Sequence, residues 1–283
     1  MLNFSRSKEA NFFIFRNSNF LVILKKLLKK NKNFKFKNIQ NEKIYSEIEN
    51  NLEYCLIVNS EINNNISKKY FSKIMNKKYN SVAYTSILKH NKISNNIASQ
   101  TFTDNGPLAF LPLSNTETSV VYSIKNKKNH LKNEELVKLV KSYSEKYKRA
   151  YFSKFEKFYI KFSLSKKYYH RNILLFGDAL HKIHPLAGQG FNMTVRDMKI
   201  FFKLINENID LGLPINTFIL KKFEKETKSK NLIFAKGIDL INDFFILDNV
   251  LNNKISKNIF PIINKSVFIK NYINKIASKG LNI

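Results

Sequence analysis

The chain has 283 residues with 43% hydrophobic and 13% aromatic residues, so it is long and apolar enough to bury a core and is not a disordered chain. Its single cysteine, Cys55, excludes a disulfide framework and any multi-cysteine metal site; because it stands in an apolar run, we expect a buried thiol. The net charge of +28 comes almost entirely from scattered lysines with only five arginines, which argues against a nucleic-acid partner, since bidentate phosphate and base recognition favours Arg.

The first half of the chain predicts short strands and helices. Residues 12–15 are strand-like, and Ser18 can cap a helix. The apolar face of that helix comprises Phe20, Leu21, Ile23, Leu24, Leu27 and Leu28. The lysines near its C-terminal end suit the helix dipole, and a solvated charged end explains them. Residues 54–58 form an apolar run of strand length, and several strands follow between Val82 and Ile124.

The second half shifts from sheet to helix. A polar helical stretch spans 125–147, and a strand follows at 158–164. The apolar run 173–176 predicts a buried parallel strand. A helix begins near Phe191, with Val195, Met198, Phe201, Phe202 and Ile205 expected on one side. Gly212 and Pro214 end it, and helical patterns continue over 217–251 and 258–279.

Glycine is unusually scarce, with seven in 283 residues where ordinary composition gives about 20. Three of the seven, Gly177, Gly188 and Gly190, fall within 14 residues, and a fourth, Gly106, precedes Pro107. Only glycine reaches positive φ cheaply or lets a ligand touch the backbone. The surviving glycines therefore indicate positions that tolerate no other residue.

The segment 173–197 predicts a strand, a sharp turn, a loop and a helix. Asp178 follows the strand at its carboxyl end, where open α/β sheets bind ligands, and a carboxylate can accept hydrogen bonds from ligand hydroxyls. The loop 185–190 leads to a helix N-terminus, whose unpaired N–H groups and positive dipole end favour an anion. The pattern predicts a ligand that carries hydroxyls and gathers negative charge.

These residues closely resemble a known motif. Gly177-Asp178-Ala179-Leu180-His181, followed by 184–192 (His-Pro-Leu-Ala-Gly-Gln-Gly-Phe-Asn) and Arg196-Asp197, is similar to the second FAD-binding motif of the class A flavoprotein monooxygenases. The nearest subgroup is the ubiquinone-biosynthesis hydroxylases, which share the para-hydroxybenzoate hydroxylase fold. The block 102–113 resembles the strand of that subgroup on the substrate side of the flavin.

The resemblance implies a set of site residues. The cofactor-binding residues would be Gly177, Asp178, Ala179, His181, Pro185, Ala187, Gly188, Gln189, Gly190 and Asn192, with Asp178 on the ribityl chain. The substrate-side residues would be Gly106, Pro107, Leu111 and Pro112. It implies FAD as cofactor, NAD(P)H as electron donor and O₂-dependent hydroxylation of a phenolic ring, most simply a polyprenylated ubiquinone precursor. No catalytic base stands out.

The expected fold class is α/β, an incomplete FAD/NAD(P)-binding domain of the glutathione-reductase type with an inserted substrate sheet and a helical C-terminal tail. The expected segments are 1–75 (residual FAD-binding domain), 76–165 (substrate-binding sheet), 166–212 (second FAD-binding segment) and 213–283 (C-terminal helices).

Two departures from the family pattern concern the FAD-binding half. The family opens with a Gly-rich turn that cradles the pyrophosphate, whereas the first glycine here is Gly106. About the first hundred family residues would then be absent. Glu61 and Ile62 also replace the family's Asp-Gly pair after a strand. We therefore expect this chain alone to hold FAD weakly, so that either a second chain supplies the absent part or the chain is a decayed or mis-started gene product, a non-catalytic remnant or an accessory subunit.

Three further alternatives concern sites and surfaces. His181 and His184 stand three residues apart, but two histidines without a nearby cysteine or carboxylate cluster make no metal site. Arg196-Asp197 is either a functional pair or a helix-surface pair. The basic C-terminal helices either pack and face water or contact a membrane surface. The chain has no 18-residue apolar run and no secretory signal pattern, so we expect a cytoplasmic protein, peripheral at the inner membrane face.

Overall fold

A computed structural model describes residues 13–125, 131–183, 189–251 and 254–279. The described residues fall into two compact units, one formed by 38–79 with 161–279 and the other by 13–37 with 80–160. Both strands and helices are abundant, so the expected mixed α/β class is confirmed. The four-segment division of the sequence stays a prediction.

Eight helices and ten strands make up the described part of the chain. The helices are α1 (Asn17–Lys30), α2 (Lys43–Asn50), α3 (Asn65–Tyr70), α4 (Asn133–Lys141), α5 (Gln189–Asp210), α6 (Thr217–Val250), α7 (Lys254–Lys265) and α8 (Val267–Lys279). The strands are β1 (Ile57–Asn59), β2 (Ile74–Lys89), β3 (Ser99–Thr103), β4 (Gly106–Pro112), β5 (Glu117–Lys125), β6 (Tyr151–Phe152), β7 (Glu156–Ser165), β8 (Tyr169–His170), β9 (Ile173–Leu175) and β10 (His181–Lys182).

The first unit is built around a three-stranded sheet in the order β1-β9-β8. The central strand β9 is buried along its whole length and pairs in parallel with β1, as the apolar run predicted. Helices α5 and α6 pack beside it and add Phe201 and Phe223, whose rings meet edge to face at 5.4 Å. The core thus lies directly under the end of β9.

The second sheet follows the order β10-β7-β2-β5-β4-β3, with β6 paired to β2. Strands β4 and β5 bury alternate residues such as Leu108, Val120 and Tyr122, as period-two strands do when one face is covered. Helix α4 contributes Leu136 and Val140 to this core. The sheet-rich middle predicted from Val82 to Ile124 is therefore confirmed.

Several local expectations are wrong. Residues 13–16 form no strand, and α1 begins at Asn17 after an N-cap at Arg16, so Ser18 is not the cap. No residue of α1 is buried, although its apolar residues recur at helical spacing. Cys55 is exposed, because β1 begins only at Ile57 and the thiol precedes the covered part of the apolar run.

The inward face of α5 also differs from the expected one. Met193, Asp197, Phe201 and Leu204 are buried, whereas Val195, Met198 and Phe202 are exposed. The apolar pattern alone placed the face wrongly because one of its inward positions is a carboxylate.

Helix α6 is continuous over 34 residues and ends near Asp248. The buried carboxylate of Asp248 accepts hydrogen bonds from the backbone N–H groups of Ile255 (2.9 Å) and Ser256 (3.2 Å). These are first-turn amides of α7, which have no partner within their own helix. Among the described helices none is long and apolar enough to cross a membrane.

Two glycines provide opposite tests of the fold. A Cβ on Gly106, whose φ is +135°, would lie 2.0 Å from the carbonyl oxygen of Ser123, whereas one on Gly237 in α6 would meet nothing within 4 Å. We expect Gly106→Ala to destabilise its unit by about 3 kcal/mol or more, because both strain and a backbone clash oppose it. Gly237→Ala should stabilise by about 1 kcal/mol through helix propensity.

Urea unfolding of both variants, followed by circular dichroism, measures these changes. A Gly106→Ala protein as stable as wild type would contradict the described β4–β5 contact.

Candidate functional site

The candidate site begins where β9 ends. After Leu175, the N–H of Phe176 donates to the carbonyl of Asn59 at the end of β1 (2.9 Å), which keeps the two parallel strands together to their last residues. A single 3-10 turn, Gly177–Ala179, follows directly. The carboxyl ends of β1 and β9 therefore lie side by side, and the turn leaves the sheet at this edge.

Gly177 makes this turn possible. Its φ is +59°, in the left-handed region that side chains with a Cβ adopt only with strain. The nearest atoms to a Cβ there would be in Ser60 and Thr194, each at 3.9 Å, so the backbone angle rather than crowding requires glycine. Gly177 thus lies between the residue after β1 and the first turns of α5.

Asp178 is exposed, while its neighbour Ala179 is buried in the turn. Asp178 makes no hydrogen bond or ion pair within the described part of the chain. An exposed, unpaired carboxylate at the carboxyl end of a buried strand can accept hydrogen bonds from ligand hydroxyls.

The helix N-terminus predicted near Phe191 is present, two residues earlier. Helix α5 begins with Gln189 and Gly190, and Asn192 is exposed in its first turn. A Cβ on Gly190 would lie 3.8 Å from Ile183, so the helix start lies close to the residue that follows β10. Of the other predicted loop residues, Pro185, Ala187 and Gly188 lie outside the described residues, as does His184.

A buried hydrogen-bonded pair of side chains lies beneath this turn. His181 on β10 and Asp197 on α5 are each 1% exposed, and Nε2 of His181 lies 2.7 Å from Oδ2 of Asp197. Because an ionised carboxylate is acceptor only, the imidazole Nε2–H donates. Asp197 is therefore a core residue, which decides against a helix-surface pair.

The network continues into α6. Nδ2 of Asn231 lies 3.1 Å from each carboxylate oxygen of Asp197 and 3.5 Å from the hydroxyl of Tyr168. Burial raises the pKa of the Tyr168 hydroxyl above its ordinary value, and the nearby Asp197 carboxylate adds to this. Asn231 and Tyr168 were not foreseen. The sequence signal for Asn231 is that polar residues stand four apart at inward positions of α6, at Thr227 and Asn231.

Arg196, next to Asp197, packs over the ring of Phe234 in α6, with its guanidinium carbon 4.2 Å from the ring centroid. Both terminal nitrogens are buried and have no hydrogen-bond partner among the described residues. Burial lowers the pKa of this guanidinium below its ordinary value, against the opposing effect of Asp197. Arg196 and Asp197 thus both face α6.

The segment after β1, where Glu61 and Ile62 depart from the family pattern, is stabilised by polar side chains. Asn64 caps α3 by accepting from the N–H of Ser67 (2.8 Å) and donates to Asn59 (2.8 Å). Glu61 accepts from the hydroxyl of Tyr45 (2.5 Å). Ile62 does not adopt a positive φ, so this turn is built without the left-handed residue that an Asp-Gly pair would provide.

The predicted substrate-side residues lie in the second unit. Gly106 and Pro107 open β4 after a tight turn, and Leu111 and Pro112 end it, all partly exposed. The hydroxyl of Thr103 bonds the carbonyl of Gly106 (2.8 Å), which fixes the turn. Their contact with a substrate stays a prediction. In the described residues no three His, Cys, Asp or Glu side chains cluster as metal ligands would.

Comparison with known proteins identifies the family. Residues 62–209, just over half of the chain, match the family described as "FAD binding domain". The chain is 30% identical over 112 residues to a protein of Dictyostelium discoideum named ubiquinone biosynthesis monooxygenase COQ6, mitochondrial, covering 39% of this chain and 22% of that protein. It is 29% identical over 147 residues to the 3-demethoxyubiquinol 3-hydroxylase of Escherichia coli K12, covering 50% of this chain and 38% of that one.

Solved structures agree on the fold. The chain superposes on p-nitrophenol 4-monooxygenase PnpA of Pseudomonas putida DLL-E4 with a TM-score of 0.64 at 12% identity, covering 81% of this chain and 60% of that one. It superposes on the flavin-dependent brominase Bmp2 with a TM-score of 0.62 at 12% identity, covering 80% and 57%. At this identity the likeness establishes the fold alone.

The chain spans about a fifth to two fifths of the length of the two curated relatives described above. The matched residues 62–209 include β9, the Gly177–Ala179 turn and all but the last residue of α5. The chain therefore belongs to the FAD-binding domain family, and ubiquinone-biosynthesis hydroxylases are among its relatives.

Proposed function

We propose that this chain is part of an FAD-dependent monooxygenase that hydroxylates a phenolic ring, with a polyprenylated ubiquinone precursor as substrate and NAD(P)H and O₂ as co-substrates. The relatives named for ubiquinone biosynthesis support this substrate class. The observation that carries the proposal is the exposed, unpaired Asp178 carboxylate at the carboxyl end of β9, in the same matched segment as the N-terminus of α5.

The residues of this segment fit one half of FAD. Asp178 can accept hydrogen bonds from the hydroxyls of a ribityl chain. Gly177, directly before it, has no side chain that could block a ligand from the backbone. The N–H groups of Gln189 and Gly190, at the start of α5, have no acceptor within the helix, and the dipole end there favours negative charge on a flavin ring. FAD, when bound, supplies electron transfer from NAD(P)H and the activation of O₂. The protein orients the ring and shields it from water.

The ADP half of FAD has no comparable partner among the described residues. Residues 1–105 contain no glycine, so a Gly-rich turn for the pyrophosphate cannot lie there. In the described residues β1 pairs only with β9, so its outer edge offers N–H and C=O groups to a further strand. We infer that a segment other than residues 1–283, for example a second chain, supplies this strand together with the pyrophosphate-binding turn.

This division predicts how the chain binds flavins. Riboflavin should bind, and FAD should bind no more than about tenfold tighter, because its ADP half adds few contacts. Asp178→Ala should weaken both by about tenfold through loss of the ribityl hydrogen bonds. Quenching of flavin fluorescence on titration with the 283-residue chain measures both affinities.

The matched control is Asp210→Ala, which removes an exposed carboxylate from the far end of α5 and should leave both affinities unchanged. Absence of quenching by wild type would contradict the flavin proposal and favour the alternative function, a non-catalytic remnant or accessory subunit that does not hold FAD alone.

The C-terminal helices favour a membrane partner for the same enzyme. Residues 254–279 contain six lysines and no acidic residue. Exposed apolar side chains accompany them, including Ile262, Val267 and Phe268, the last 80% exposed. Basic residues beside exposed apolar ones suit an anionic lipid surface, where each lysine contributes about 1 kcal/mol. Because a polyprenylated substrate would be held in that surface, we propose a peripheral location at a membrane.

This surface predicts selective binding to vesicles. The chain should co-sediment with phosphatidylglycerol vesicles and much less with phosphatidylcholine vesicles, and salt should weaken the binding. Phe268→Ser should reduce the partition coefficient by roughly tenfold, since its ring no longer enters the lipid.

Leu240→Ser provides the control, because Leu240 is 68% exposed on α6 and lies outside these two helices. Equal loss in the two variants, or equal binding to both lipids, would refute a specific role for α7 and α8.

A further inference from the structure

We propose that His181, Asp197 and Asn231 form a positioning chain that fixes the N-terminal turns of α5 against the Gly177–Ala179 turn and links both to α6. This inference rests on the proposed function, because its consequence is the affinity for flavin. None of the three residues is proposed to touch a reacting atom.

The hydrogen bond between His181 and Asp197 links β10 to the N-terminal part of α5. His181 lies on β10 and Asp197 in the third turn of α5, so the two residues flank the first two turns of that helix. Their 2.7 Å hydrogen bond therefore ties the first turns of α5 to β10. Leu180, which directly precedes His181, donates its N–H to the carbonyl of Gly177 (3.0 Å). The Gly177–Ala179 turn and the His181–Asp197 bond are therefore joined through two consecutive residues.

Burial makes the Asp197 carboxylate depend on its hydrogen-bond donors. A carboxylate that is 1% exposed is strongly disfavoured unless its oxygens are hydrogen-bonded. Asp197 receives one bond from His181 and two contacts from Asn231, all between 2.7 and 3.1 Å. Removing one donor leaves a buried charge partly unsatisfied, so the three residues depend on one another.

Two contacts with α6 orient the start of α5. Arg196 and Asp197 contact Phe234 and Asn231, which lie about one turn apart on α6. These two adjacent contacts fix the rotation of α5 about its own axis as well as its distance from α6. The direction of the α5 amide end is therefore set from α6, a helix outside the matched FAD-binding residues.

Substitution at His181 tests the chain. His181→Phe keeps a planar ring without a donor, and it should raise the hydrogen-exchange rates of the amides of residues 193–197 and weaken riboflavin binding by about tenfold each, the loss expected for one charge-assisted bond. His181→Gln retains an N–H donor at the end of its side chain and should stay within about threefold of wild type. If His181→Phe does not fold, Asn231→Leu removes a donor from the opposite side of Asp197 and carries the same expectation.

His90→Phe is the matched control. His90 is also buried, and both of its ring nitrogens have partners, Asn91 and Thr118, in the other unit. This variant should leave the amides of 193–197 and the riboflavin affinity unchanged.

The outcomes separate the two proposals. Unchanged exchange at 193–197 in His181→Phe, or faster exchange with unchanged riboflavin affinity, overturns the positioning role. Faster exchange with weaker binding, restored in His181→Gln, supports it. If wild type binds no riboflavin, the proposed function fails, and the exchange rates alone then support or overturn the linkage.

Discussion

The first unit depends on one buried carboxyl group. Asp197 lies among apolar side chains of α5 and α6, where an ionised carboxylate is stable only with well-placed donors. His181 and Asn231 provide them from two different elements. This requirement fixes the spacing of β10, α5 and α6 more strictly than apolar packing would, because hydrogen bonds are directional and apolar contacts are not.

Scarcity of glycine makes the backbone requirements of the fold visible. Gly106 and Gly177 both have positive φ, at a hairpin turn and at the turn after β9, and the backbone of β5 leaves no room for a Cβ at the first of them. At Ile62 the chain has no glycine and no positive φ, and polar bonds from Asn59 and Asn64 stabilise that turn instead. At Gly106 and Gly177 the backbone requires glycine, whereas at Ile62 the turn is built without it.

The family match and the geometry agree on the same segment. Residues 62–209 belong to the FAD-binding domain family, and the strand–turn–helix from β9 to α5 lies almost wholly within that range. The long helix α6 follows the matched region and still contributes Asn231 to the network under it. The helix that follows it in turn relies on Asp248 at the end of α6. One helix therefore connects the candidate flavin segment with the basic C-terminal helices.

The sequence by itself determined the buried strand at 173–175, the turn at Gly177, the helix after it and the family resemblance, because short-range spacing and scarce glycines carry that information. It could not determine that Asp197 is buried, that Asn231 joins it or that Cys55 and the apolar face of α1 are exposed. Those properties depend on which elements cover a residue, and contacts such as His181 to Asp197 or Asp197 to Asn231 join positions 16 and 34 residues apart. Only the tertiary structure decides such pairings, since periodicity reports a face but not its partner.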